Sequence, residues 1–272
     1  MGVPFTMVMV RTQGTARQCA TRALSSTAAP PRIVAFAKGA PILVHEPLAL
    51  ESYAAASGPS TFAVGNDLTG LRVWDAAPRL IAHLDRHRER LLHNRNVIEV
   101  GCGTGAVGLA AAAFGARHVV LSDVASTATM SNDSGGWSAR STLAVLHDNV
   151  ALNGERAAST SVAELHWGCE PHLAAVLECW PKRFDTLVAS DVLYYKPEET
   201  YDDLARTIRA LAADEARVVL SYVERHGREH TFVERLLADS AFARVELEDS
   251  ASEARRIASE AGAVELVELV RV

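Results

Sequence analysis

No apolar stretch of the chain approaches the roughly 18 uninterrupted residues that would suggest a membrane span, so no transmembrane segment is expected. Cysteine is scarce. Cys19, Cys102, Cys169 and Cys179 stand far apart, with no CxxC pair and no zinc-ligand spacing. That argues against a disulfide framework or a structural metal, and it suits a reducing compartment. Acidic residues are missing altogether before Glu46, while Arg11, Arg17, Arg22, Arg32 and Lys38 give that stretch a charge of +5. Because the whole chain carries −6, the remainder is distinctly acidic, which disfavours a nucleic-acid footprint. The aromatic share of 6%, the charged share of 22% and the mean hydropathy of +0.06 lie close to those of ordinary folded proteins. Disordered, collagen-like and coiled-coil classes do not fit them.

What is present is 272 residues, 49% of them hydrophobic, ample for one core and too little for two full domains. One domain over residues 32–272 is expected, preceded by an extension over residues 1–31. Residues 11–30 are rich in Arg, Ser, Thr and Ala, the composition of a mitochondrial transit peptide, with a plain disordered tail as the alternative. Met1-Gly2-Val3-Pro4-Phe5-Thr6 also fits the short N-myristoylation pattern. A secretory signal is disfavoured, because the apolar stretch precedes the positive charges instead of following them. The cytoplasm is the expected compartment, with the mitochondrion as the alternative.

Arg32 to Lys38 and Pro41 to His45 read as two short strands about Gly39, followed by a connection over residues 51–70. Asp75 is placed to cap a helix whose stripe is Leu80, Ile81, Leu84, Leu91 and Leu92. From Asn96 strands and helices alternate. Val97 to Val100, a glycine loop, the alanine-rich run Leu109 to Phe114 and His118 to Ser122 form one βαβ unit. Helices at Thr142 to Leu152, His172 to Leu177, Tyr201 to Ala212 and Thr231 to Asp239 alternate with strands at Val162 to His166, Asp185 to Ser190 and Arg217 to Tyr222. Ala243 to Leu247 and Val264 to Val270 close the chain without a full crossover unit between them. The expected fold is α/β: a doubly wound, Rossmann-like, three-layer arrangement with a seven-stranded sheet and an antiparallel C-terminal hairpin edge. Asn132 to Arg140 reads as a surface loop interrupting the series.

Gly101-Cys102-Gly103-Thr104-Gly105 follows a strand and opens a helix, where backbone N–H groups can approach a ligand. Gly103 to Gly108 spells GxGxxG, so a nicotinamide or flavin dinucleotide must be considered. Glu99 argues otherwise. A carboxylate just before the glycines would oppose a pyrophosphate and suit a cofactor bearing an ammonium and a sulfonium, as S-adenosyl-L-methionine does. Asp123, ending the next strand, is placed to bind both ribose hydroxyls of either cofactor. His83 with His87 and His226 with His230 have i,i+4 spacing, but no third ligand accompanies either pair. Both read as solvated faces, and no metal is expected. Cys102 reads as a small residue tolerated in the loop, with no base partner to make it a nucleophile.

The segment from Val97 to Gly105 resembles the cofactor motif of seven-strand, class I methyltransferases. Four further segments resemble one branch of that class, the methyltransferase-like non-histone protein-lysine methyltransferases: Gly70-Leu71-Arg72-Val73-Trp74-Asp75-Ala76-Ala77, Asp148-Asn149-Val150-Ala151-Leu152-Asn153, Leu165-His166-Trp167-Gly168 and Ser190-Asp191-Val192-Leu193-Tyr194. The likeness covers residues 32–272. It implies that Gly101 and Gly103 line the methionine moiety, with Cys102 and Gly105 in the same loop, and that Asp123 holds the ribose. It further implies that Trp167 lies beside the adenine, Trp74 near the methionine end, and Ser190 under the cofactor. Ser190 departs from the alanine common in relatives, and the insertion after Asp123 departs further. The implied activity is methyl transfer to a lysine side chain of a protein partner. Separately, a monomer is expected, and the acidic charge balance leaves no nucleic-acid partner expected. Methylation of a small molecule or RNA, and a catalytically silent binding scaffold, are the alternatives.

Transfer from a sulfonium is an in-line displacement that needs positioning more than covalent chemistry. Asp191 falls at the end of the fourth strand of the series, where an open α/β sheet presents residues to ligands. Its carboxylate is placed to hold the amine, and Tyr194 to offer a ring face and a hydroxyl. Tyr195, one residue on, reads as packing. One difficulty stands: bringing a lysine pKa from ~10.4 to neutrality corresponds to roughly 4–5 kcal/mol. A nearby carboxylate opposes that loss, and no general base is evident.

Overall fold

The computed structural model describes residues 31–37, 40–46, 69–131, 137–194, 198–225, 227, 229–238, 240–247, 258–259 and 262–272. The expected N-terminal extension, apart from Pro31, lies outside them, as do Tyr195 and His226. An antiparallel pair, β1 (Arg32–Ala37) and β2 (Ala40–Val44), precedes the main sheet. Five parallel strands follow: β3 (Asn96–Val100), β4 (His118–Asp123), β7 (Thr160–Glu164), β8 (Phe184–Ser190) and β9 (Ala212–Val223). With β10 (Phe242–Arg244) and β12 (Gly262–Arg271) the order across the sheet is β10-β12-β9-β8-β3-β4-β7, and β11 (Ala258–Ser259) pairs with β12 alone. The expected antiparallel closing strands are present. The last of them is not outermost, because β12 lies antiparallel between β9 and β10.

Apolar residues on successive positions of the parallel strands serve opposite faces, as a strand repeat of two requires. Val97, Val119, Leu121, Val188 and Val219 pack on one face beneath α1 (Ala76–Arg86), α3 (Ala106–Ala113) and α4 (Thr142–Asn153). Ile98, Val100, Val120, Leu187, Ala189, Val218 and Leu220 pack on the other, beneath α5 (Glu170–Cys179), α6 (Glu198–Leu211) and α7 (Glu229–Leu237). This is the expected three-layer arrangement.

Helix α1 carries the apolar stripe at Leu80, Ile81 and Leu84, then breaks at His87 before the single turn α2 (Arg88–Leu91). Asp75 occupies the position before α1 without a side-chain capping bond. His83 and His87 are not a solvated face: His83 Nε2 lies 3.3 Å from Oε2 of the buried Glu268, which also pairs with Arg90. The reason is the β12 insertion, which brings Glu268 under α1 where the sequence shows no partner. Helix α3 is buried almost throughout, its alanines letting it lie close to the sheet. A Cβ on Gly108 would collide with Leu121 and lie 2.8 Å from Glu99 Oε2.

The β1–β2 pair packs over α3 and is fastened to α4 by two asparagines one turn apart. Asn153 accepts from Leu43 N–H at 2.9 Å and donates to Leu43 C=O at 2.7 Å. Asn149 accepts from His45 N–H at 2.8 Å and donates to the carbonyls of His45 and, at 2.9 Å, of Thr104 in the glycine loop. Both asparagines are buried, so each imitates a strand neighbour for β2. The expected loop from Asn132 to Arg140 is corrected in part. Thr127–Ser131 and Trp137–Ser141 form an antiparallel pair, β5 and β6, whose connection Asn-Asp-Ser-Gly-Gly is made of turn residues.

Candidate active site

The strand order reverses at β3, which has β4 on one side and β8 on the other. An open α/β sheet accepts ligands at the carboxyl ends of the strands beside such a reversal. The loop after β3 meets that requirement through Gly101, Gly103 and Gly105, at φ of +68°, +52° and +81°. Side chains rarely adopt these values, and the neighbours leave no room for them. A Cβ on Gly101 would stand 2.8 Å from Val192 Cγ1 and 3.1 Å from the ring of Trp167, and one on Gly103 would stand 3.1 Å from Gly70 C=O. The loop is therefore where Trp167, the segment after β8 and the turn Thr69–Leu71 converge.

Asp123 closes the loop from the side. Its Oδ2 accepts from Gly103 N–H at 2.6 Å and its Oδ1 from Val124 N–H at 2.7 Å. Carboxylate oxygens accept more than one hydrogen bond each, so this placement also suits a ribose diol. Ser190, ending β8, holds a buried Oγ with no hydrogen-bond partner among the described residues, next to a loop built for a ligand. Such an atom is an opening for a bound polar group. Trp167 and Asp123 thus both meet the glycine loop, with Ser190 at the carboxyl end of the neighbouring strand, and the chemistry of these residues fits an S-adenosyl nucleoside.

Glu99 acts differently from the cofactor-facing charge expected of it. Its buried Oε2 accepts from Gly108 N–H at 2.7 Å, tying β3 to α3 beneath the loop. Burial, with a smaller contribution from Asp123, lifts its carboxyl to about 8 against the Gly108 hydrogen bond, so it is largely protonated at neutrality. The Cys102 thiol is buried as well. Burial first, then the carboxylates of Glu99 and Asp123, push its pKa well up, which disarms it as a nucleophile.

Trp74 is tied to the same centre. Its Nε1 donates to Thr69 C=O at 2.8 Å, in the turn that lies on Gly103, and the Arg72 guanidinium sits 4.5 Å from its ring centroid. The Tyr194 hydroxyl is 3.3 Å from Thr69 Oγ1, and Tyr194 C=O accepts from the Tyr201 hydroxyl at 2.6 Å. Trp74 and Tyr194, 120 residues apart in sequence, therefore meet through Thr69.

Asp191 holds a left-handed φ of +55°, fixed by its N–H donating to Ser221 C=O at 2.7 Å. Its carboxylate is not open to a visitor. Arg225 Nη1 and Nη2 donate to Oδ1 and Oδ2 at 2.8 Å each, and Val223 N–H approaches Oδ1 at 3.3 Å. The Asp191 side chain is 1% exposed and that of Arg225 21%. The Arg225 guanidinium stands 5.9 Å from the Trp74 ring centroid, and its backbone N–H donates to Glu229 Oε1 at 3.0 Å. The Asp191 hydrogen bonds above all, opposed by burial and helped by Asp75 and Glu229, raise the Arg225 pKa. Sequence reasoning missed Arg225. The signal was available, since it lies just past β9, the neighbour of the strand that ends beside Asp191.

A family model described as lysine methyltransferase matches residues 63–134 and 138–239, more than half of the chain. Protein N-lysine methyltransferase METTL21A of Xenopus tropicalis is 31% identical over 165 residues, covering 60% of this chain and 65% of that protein. EEF1A lysine methyltransferase 3 of Mus musculus is 30% identical over 168 residues, covering 61% of each. The chain thus spans just under two thirds of the length of these two relatives. It spans 78% of METTL21A of Mus musculus, at 30% identity and with 71% of this chain covered. Among solved structures, a putative SAM-dependent methyltransferase from Streptococcus mutans shares the fold at 10% identity and a TM-score of 0.52, covering 74% of this chain and 50% of that one. The glycopeptide N-methyltransferase MtfA does so at 15% identity and a TM-score of 0.50, covering 73% and 95%. Loop geometry, segments and matches agree: the chain belongs to the lysine methyltransferase family.

Proposed function

We propose that the chain transfers a methyl group from S-adenosylmethionine to a lysine side chain of a non-histone protein. The observation that carries this reading is the meeting of the Asp191–Tyr194 segment with the Thr69–Trp74 segment beside the glycine loop. Family membership and the names of the relatives support the lysine substrate.

The bound cofactor supplies a methyl carbon on a positively charged sulfur, activated without any metal. Gly101 and Gly103 admit its amino-acid portion, with Cys102 and Gly105 shaping the same loop. Asp123 takes the ribose hydroxyls, Trp167 flanks the base, and Ser190 Oγ gains the partner it lacks. Glu99 serves by holding loop and helix together. Trp74 and Tyr194 wall the channel through which a lysine stem reaches the methyl group, and their rings favour a cationic or partly cationic nitrogen. Alignment supplies the rate, since a well-placed amine reacts as if at very high concentration.

We further read residues 32–272 as one domain, supported by the core that β1 and β2 share with α1 and α3. A monomer in a reducing, cytoplasmic setting is the reading for the whole protein. Three unpaired thiols, Cys102, Cys169 and Cys179, support it, as does the rarity of exposed large apolar side chains, Ile33 and Val272 among the described residues. No helix among those residues is long and apolar enough to cross a membrane.

The test is transfer of labelled methyl from S-adenosylmethionine into a hypomethylated eukaryotic cell extract, with Asp191→Ala in parallel. Protease-sensitive label recovered as methyl-lysine, and at least tenfold lower in the variant, is the expected result. Label in nuclease-sensitive or small-molecule material would overturn the substrate class. Binding of S-adenosylhomocysteine with no transfer to anything would favour a silent scaffold, for which the closed Asp191–Arg225 pair is the structural argument.

A further inference from the structure

The Asp191 carboxylate, placed by its sequence to hold the substrate amine, is closed on both oxygens by Arg225. A lysine attacks only as the free amine, and an unpaired carboxylate within about 4–6 Å would hold it as the ammonium by 1–3 pKa units. A desolvated carboxylate is the more effective in this, because little water screens it. Here the exposures are unequal. Asp191 is 1% exposed and Arg225 21%, so it is the guanidinium and not the carboxylate that is open to solvent.

We propose that Arg225 is a positioning residue for lysine methylation: by engaging both oxygens of Asp191 it cancels the carboxylate's hold on the target ammonium, so that the lysine is presented as an amine. This rests on the lysine-methyltransferase reading above and deepens it.

The surrounding charges are consistent with that role. Asp75 precedes α1, Glu229 on α7 holds the Arg225 N–H, and Glu224 is the exposed neighbour that faces His230. Arg72 stands against Trp74 from the side of the turn. Asp75 and Glu229 act on Arg225 and favour its charged form, and the Tyr194 hydroxyl lies against Thr69. In the step itself the ammonium first gives its proton to water. The amine lone pair then forms the N–C bond while the C–S bond breaks, and that electron pair stays on sulfur, leaving S-adenosylhomocysteine and a methylated ammonium. Arg225 neither gives nor takes a proton. It fixes the field in which the first proton is lost.

The experiment measures kcat against pH from 6.5 to 10 at saturating S-adenosylmethionine, on the protein band most strongly labelled in the cell extract. It compares the intact chain with Arg225→Gln and Arg225→Lys, and calorimetry with S-adenosylhomocysteine reports folding and loading of each. In Arg225→Gln the acid limb should move up by at least one pH unit, so that a loss of tenfold or more at pH 7.5 is recovered near pH 9.5. Arg225→Lys should return the limb most of the way, and S-adenosylhomocysteine should bind all three within about threefold. A profile merely scaled down at every pH, or moved to lower pH, would overturn the proposal. Should Arg225→Gln fail to bind S-adenosylhomocysteine, Asp191→Asn decides: with Arg225 kept and the carboxylate neutralised, its maximal rate falls as in Asp191→Ala, but its acid limb should lie at lower pH than that of the intact chain, and an unmoved limb counts against us. Failure of the intact chain to make methyl-lysine overturns the parent reading and this one with it, whereas methyl-lysine with coincident profiles overturns this one alone.

Discussion

Glu99 carries the clearest titration signature of any single side chain here. Its carboxyl sits at about 8 in the folded protein against an ordinary 4.5, chiefly through burial. A folded-state value above the unfolded one means that the folded state holds the proton more tightly. The stability this confers is complete below about pH 4.5 and is lost as pH rises to 8. Glu99→Gln retains an acceptor for Gly108 N–H and removes the ionisation. Urea unfolding at pH 5, 7 and 9 should find the variant increasingly more stable than the parent, by on the order of a few kcal/mol at pH 9. Parallel curves would show that Glu99 ionises freely in the fold. The position of Glu99 in the motif was legible in the sequence. Its protonation was not, because that depends on how deeply α3 covers it. The approach of the Asp191–Tyr194 segment to the glycine loop was likewise legible, whereas the pairing of Asp191 with Arg225 needed the register of β8 on β9.

Among the elements, the passage from β7 to α5 turns on one residue. Gly168 has φ of +73°, donates its N–H to Thr207 Oγ1 at 2.9 Å, and has Asp203 within 2.5–2.9 Å of where a Cβ would go. Helix α6 thus presses on the turn that aims Trp167 at the glycine loop. Gly168→Ala combines a left-handed penalty of roughly 1–2 kcal/mol with a displaced Asp203. It should lower stability by about 2 kcal/mol and weaken S-adenosylhomocysteine binding several-fold by calorimetry. Unchanged affinity would detach Trp167 from the cofactor. The Trp167-Gly168 pair stood out in the sequence only through resemblance, since nothing local announces that Asp203 lies behind it. The β5–β6 pair was hidden for a different reason: its runs are short and polar, and a run rich in Ser, Asn and Gly reads as loop unless the pairing of Thr127–Ser131 with Trp137–Ser141 is known.

On the scale of the molecule, the alternation of apolar runs from Asn96 onward contained the sheet and its helical layers, because parallel strands buried on both faces leave that pattern and little else does. The order of the strands was less accessible. Glu268 shows the consequence, joining β12 to His83 of α1 and Arg90 of α2, with Arg217 of β9 at 3.4 Å. Burial alone would raise its carboxyl, but hydrogen bonds from His83 and Arg90 outweigh it and bring the group down to about 2. A depressed value contributes stability that is present above pH 4.5 and is lost as pH falls towards 2. Glu268→Gln should therefore lose on the order of a few kcal/mol at pH 7, moderated because Arg90 and Arg217 are partly open to solvent, and draw level with the parent near pH 2. Thermal melts of both across that range would show it, and a constant gap down to pH 2 would assign the loss to packing.

The placement of β12 also sets a timetable. On the ribosome, β9 emerges some forty residues before the strand that will flank it, and β10 cannot join the sheet until that strand arrives. Through that interval the edge of β9, with Val218, Val219, Leu220 and Val223, stands bare, and an unpaired apolar edge is a template for any passing strand. The backbone carbonyl of Val264 that receives buried Arg79, and the carboxylate that gathers His83 and Arg90, come with β12 as well. The nascent chain therefore stays open along one seam until β12 is made, and in a crowded cell that seam is where a holding chaperone would find its grip.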